Sequence, residues 1–107
     1  MTALLTVEDC FLIEGRGVVI LPDFPVPTGW KNRTETVVVI KPDGQRYEAM
    51  AEFSMSHFRL LDPEAPIDKR WRVIVLLPGQ KKEDLPAGSQ ILVLPEVRDA
   101  LLPRKAA

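Results

Sequence analysis

Cysteine and histidine are nearly missing: Cys10 and His57 are the only ones among the 107 residues. One cysteine excludes an intramolecular disulfide, and two such ligands fall short of the about four that a structural zinc site takes. A nucleophile and base would have to be this same pair. Cys10 lies within an apolar stretch with no orienting motif beside it, so it reads as a small buried hydrophobe, and His57 reads as a hydrogen-bonded or exposed imidazole at a strand end. The chain also lacks any run near the ~18 apolar residues needed to cross a bilayer, and Met1 to Leu5 lacks the basic start and apolar core of a secretory signal. A cytoplasmic protein with no membrane contact is expected. Nor does charge of one sign dominate, since 14 basic side chains face 15 acidic ones for a formal net charge of −1. Proteins that neutralise many phosphates usually carry a basic excess. No Gly-x-x-x-x-Gly-Lys-Ser/Thr phosphate loop occurs, and the chain has no room for a nucleotide domain. GTPase activity is excluded, and no cofactor or metal is expected.

Long helices are excluded by proline. Ten prolines, from Pro22 to Pro103, leave few intervals that could hold an unkinked helix. Apolar residues at 46% and charged residues at 27% are nonetheless globular proportions, enough for one packed core. Strands with frequent turns reconcile the two observations. The clearest unit is a hairpin: Thr36 to Lys41, a turn at Pro42-Asp43-Gly44, and a second arm from Gln45 to Met55. In that arm Tyr47, Ala49, Ala51, Phe53 and Met55 share one face, which is the period of a half-buried strand. The first arm runs Val37-Val38-Val39-Ile40 without alternation, which predicts cover on both faces. Val7 to Ile13, Gly17 to Leu21, Trp71 to Leu77 and Gln90 to Leu94 complete a set of about six strands, with Trp71 in phase with Val73, Val75 and Leu77 on the core side. Residues 1–6 read as a lead-in, 7–94 as the β domain, and 95–107 as a tail with room for one or two helical turns. Pro22 to Arg33 reads as a stiff extended loop. An all-β, small closed antiparallel barrel is the expected fold.

Three segments, in order, carry a family resemblance. Val7-Glu8-Asp9-Cys10-Phe11-Leu12-Ile13-Glu14-Gly15-Arg16-Gly17-Val18-Val19 is the most specific, with an acidic pair, a phenylalanine and a Gly-Arg-Gly turn. Phe58-Arg59-Leu60-Leu61-Asp62 is short and weak alone. Val73 to Leu92 follows with a closing strand, Pro78-Gly79, the basic-acidic run Lys81-Lys82-Glu83-Asp84, and Gly88. Together they resemble the second, β-barrel domain of elongation factor Tu and related translation GTPases, over residues 7 to 94. The resemblance implies a closed barrel with Greek-key-like connections, standing alone without its GTPase domain. Pro78 occupies the place where the family often carries a basic residue that meets the aminoacyl end of transfer RNA. Arg70 and Ile74 replace small glycines. These departures argue against transfer-RNA binding of the parental kind.

A non-enzymatic binding module with a protein partner is therefore the expected function. Arg16, presented on a tight turn with its planar fork free, and Phe24 and Trp30, in the proline-rich loop, are its candidate contacts. Each also has a plainer reading, as a solvated turn residue or as a core or lid aromatic. The alternative is RNA binding in a translation context, to transfer RNA or ribosomal RNA, through Arg16 together with Lys69, Arg70 and Arg72, the last three being the densest short basic cluster of the chain. A small inhibitor or immunity-type protein is a third reading, which no residue selects.

Overall fold

The hairpin foreseen from Pro42-Asp43-Gly44 anchors the molecule. In a computed structural model, which describes residues 1–57 and 71–102 apart from the side chains of His57 and Trp71, β4 (Arg33–Ile40) pairs antiparallel with β5 (Arg46–His57). Gly44 takes a positive φ of 92°, and its N–H donates to the Lys41 carbonyl at 2.9 Å. The Asp43 carboxylate accepts from Gln45 N at 2.9 Å, an Asx-type turn contact.

The remaining strands are β1 (Thr2–Thr6), β2 (Asp9–Ile13), β3 (Gly17–Pro25), β6 (Trp71–Pro78) and β7 (Gln90–Val93). They form one seven-stranded antiparallel sheet in the order β1-β7-β4-β5-β6-β3-β2. β4, β5 and β6 follow one another in the chain, while β3 reaches β4 by a long connection and lies beside β6. That is a Greek key. The two end strands of the order, β1 and β2, are one stretch of chain turning at Val7-Glu8. Val7 N donates to Ser89 O at 2.7 Å on the β7 side, and Glu8 N donates to Leu21 O at 2.9 Å on the β3 side. The chain thus changes partners at a corner, and the sheet curls into a barrel-like shape around a single interior.

Alternation fills that interior. Val18 and Ile20 of β3, Val37 and Val39 of β4, Ala51 and Phe53 of β5, and Val73, Val75 and Leu77 of β6 are all fully buried in one cluster. A short 3-10 turn (Lys82–Asp84) brings Leu85 under the β2 end. The helix α1 (Pro95–Leu101) starts with proline at its first position and sends Val97 and Leu101, four residues apart, against the core. Val19 and Leu76, opposite one another in the β3–β6 register, are buried on the other face of the sheet.

Several expectations are corrected. Residues 1–6 are not a lead-in, because Leu4 and Leu5 are buried core residues and Thr2–Thr6 pairs with β7. Thr2–Thr6 is the strand added to the six or so expected, which makes seven among the described residues, and the stretch read as Val7 to Ile13 pairs with β3 only from Asp9, after the corner. The valine run of β4 is not covered on both faces: Val37 and Val39 are buried, while Val38 and Ile40 are half-exposed. The first part of Pro22 to Arg33 is strand, with the register shift between Ile20 and Phe24 absorbing Pro22 and Asp23. The tail does form its helical turns. The expected inward side chain of Trp71 lies outside the described residues.

Candidate functional site

Turn chemistry places the first candidate. Arg16 sits between Gly15 at φ +79° and Gly17 at φ +148°, and its N–H donates to Ile13 O at 3.0 Å, closing the β2–β3 reversal. A side chain at Gly17 would press on the backbone of Leu77 and Pro78, so glycine is required there by close approach. The Arg16 guanidinium stays largely exposed and reaches across to Glu52 of β5 at 3.8 Å, a loose surface pair worth well under about 1 kcal/mol.

Beside it the loop between β3 and β4 is built on a second turn. Trp30 N donates to Pro27 O at 3.1 Å, and Gly29 at φ +74° holds the third position, where a type II turn favours glycine. Asn32 Oδ1 accepts from Met55 N at 2.9 Å and ties the loop to the end of β5. Arg33 pairs with Glu35 on the same side of β4 at 2.7 Å.

Three adjoining clefts run along this loop. The first, of about 350 Å³, is lined by Arg16, Asn32, Arg33, Thr34, Glu52, Phe53 and Ser54. The second, of about 590 Å³, lies between residues 27–31 and Asp99 and Ala100 of α1, with Arg33 common to both. The third, of about 280 Å³, is formed by Pro25, Val26, Leu101 and Leu102 and shares Pro27 with the second. Trp30 packs half-buried against the core at the middle cleft. Its indole Nε1 is shielded from solvent and has no hydrogen-bond partner among the described residues. A buried donor in that condition costs roughly 1–3 kcal/mol.

The candidates separate accordingly. Arg16 and Trp30 are brought to neighbouring clefts joined through Arg33. Phe24 is not a surface contact: it pairs with Val73 and is 6% exposed, because after the register shift its side chain turns inward. Arg72 is held by Asp23 at 3.1 Å. It stands opposite Pro25 at one end of the β3–β6 ladder, whereas Gly17, next to Arg16, stands opposite Pro78 at the other. Lys69 and Arg70 lie outside the described residues. Lys31, Asn32, Arg33 and Asp99 were missed by sequence reasoning. The turn signal Pro27-Thr28-Gly29 could have drawn attention to Lys31, but nothing local marks Asp99, which reaches the site only through the docking of α1.

Cys10 is buried, and its thiol donates to Leu85 O at 3.5 Å. Burial pushes its pKa up, with Asp9 adding to the effect and Lys82 opposing it. That is the reverse of thiolate activation. Among the described residues no group of three or more His, Cys, Asp or Glu side chains could hold a metal ion, and no helix is long and apolar enough to cross a membrane. Comparison with family models, with curated proteins and with solved structures gives no match.

Proposed function

We propose that the chain is a non-enzymatic, cytoplasmic binding module that meets a protein partner on the face formed by residues 25–34 and α1. The observation that carries this reading is Trp30, which lines a cleft of about 590 Å³ and whose indole N–H lacks an acceptor among the described residues. A half-buried tryptophan lining a concave surface is the type of side chain that dominates binding energies between proteins. The Gly15-Arg16-Gly17 turn at the start of a barrel-like sheet supports the likeness to a translation-factor barrel used as a scaffold. RNA binding has less behind it, since Arg72 is held by Asp23 and stands at the opposite end of the β3–β6 ladder from Arg16.

Co-purification with mass-spectrometric identification tests the proposal. One protein should be recovered in near-stoichiometric amount by the wild-type chain and lost with Trp30→Ala, while Trp30→Phe keeps the fold as a control. Equal recovery by wild type and Trp30→Ala, or no protein above background, would overturn it.

A further inference from the structure

The middle cleft has two unlike walls. Lys31 on the loop and Asp99 on α1 are both exposed, and neither takes part in an ion pair among the described residues. Arg33, the other cation lining this cleft, is paired with Glu35 at 2.7 Å, while Arg16 in the adjoining cleft has a loose contact with Glu52 at 3.8 Å. The middle cleft is therefore dipolar, with Lys31 on one wall and Asp99 on the other. A chain of phosphates in this cleft would meet Asp99 unfavourably and find Lys31 as its one lining cation without a carboxylate partner among the described residues, which is poor complementarity for a polyanion.

From these observations, and resting on the binding-module reading above, we infer that the occupant is a short extended peptide of the partner carrying one apolar anchor and one charge of each sign. An extended chain sends successive side chains to opposite sides. Lying between the two walls, it directs an acidic residue toward Lys31 and a basic neighbour toward Asp99. Its apolar residue enters the adjoining recess of Pro25, Val26, Leu101 and Leu102, which shares Pro27 with the cleft. A main-chain carbonyl of the peptide is the acceptor that the Trp30 indole N–H lacks among the described residues. Because that N–H is shielded in the free chain, the turn from Pro27 to Trp30 shifts slightly on binding, at its exposed residues Thr28 and Gly29.

The test follows the Trp30 indole N–H by nuclear magnetic resonance in nitrogen-labelled protein, the resonance being identified by its loss in Trp30→Phe. Three pools of terminally blocked heptapeptides are titrated, each with one leucine and two charges: one acidic and one basic, both acidic, or both basic. The mixed pool is expected to move the indole proton downfield and to bind about fivefold more tightly than the others, the size two exposed charge contacts allow. Charge reversal gives the sharper readout. Lys31→Glu makes both walls acidic and should transfer the preference to the basic pool, and Asp99→Lys should transfer it to the acidic pool. Equal response to all three pools, or an order unchanged by these variants, overturns the inference. If no pool moves the indole resonance while Trp30-dependent capture of a protein persists, this inference fails alone; if capture fails as well, both readings fall.

Discussion

The phenol of Tyr47 donates to the main-chain carbonyl of Asp84 at 2.6 Å, a bond that fastens β5 to the 3-10 turn ahead of β7. The Lys41 ammonium sits 5.9 Å from the centre of the same ring. Burial, and then the negative charge of Asp84, pushes the Tyr47 pKa up to about 12. A phenol whose folded pKa is raised keeps its proton in the folded state after the unfolded chain has lost it. Its contribution to stability is complete below about pH 10 and is lost as pH rises from there through about 12. Tyr47→Phe should lose about 1 kcal/mol at neutral pH through the missing hydrogen bond, and should shed this alkaline sensitivity. Urea unfolding across the alkaline range checks both outcomes. Ultraviolet titration reads the group directly, because the chain has a single tyrosine.

The two glycines around Arg16 should respond differently to alanine. At Gly15 nothing stands within 4 Å of an added Cβ, so only the left-handed backbone opposes the change, at about 1 kcal/mol. At Gly17 an added Cβ would lie 2.8 Å from Pro78 Cα and closer still to the Leu77 carbonyl, and the β3–β6 ladder must part. A loss of at least about 2 kcal/mol is expected there. Denaturant midpoints of the two variants give the order, and a larger loss at Gly15 would contradict it.

Trp30 allows packing to be separated from hydrogen bonding. Trp30→Phe retains an aromatic ring against the core and removes the unpaired donor, so stability should stay within about 0.5 kcal/mol of wild type or rise slightly. Trp30→Ala removes the ring and should cost roughly 2 kcal/mol. Thermal and urea unfolding of the pair decide this, and a large loss in the phenylalanine variant would show that the indole nitrogen is engaged after all.

Cys10 is expected to be inert in the folded chain. The thiol is buried against Leu85 and its pKa is raised, so a chromogenic disulfide reagent should react with it only when denaturant unfolds the protein. Fast stoichiometric labelling in native buffer would show that the β2 end opens readily.

Much of the fold was legible because its signals are local. Pro42-Asp43-Gly44 and the alternation from Tyr47 to Met55 specified the β4–β5 hairpin, and Gly15-Arg16-Gly17 specified the reversal after β2. The errors arose where side-chain period could not settle position. Thr2–Thr6 carries only two core residues, Leu4 and Leu5, too few to show a strand before its partner β7 is known. Phe24 looked like a loop aromatic because Pro22 and Pro25 flank it, yet the register shift after Ile20 turns it inward.

Composition and short-range pattern by themselves determined an all-β chain with one core, no disulfide and no phosphate loop, because prolines, glycines and two-residue periodicity act over a few neighbours. Which residues face one another across the clefts was decided only by tertiary structure. Trp30, Arg33 and Asp99 meet because β3 crosses to β4 over the Greek key and because Val97 and Leu101 dock α1 on the core. Such meetings depend on the burial of distant apolar faces, which no local window of sequence contains.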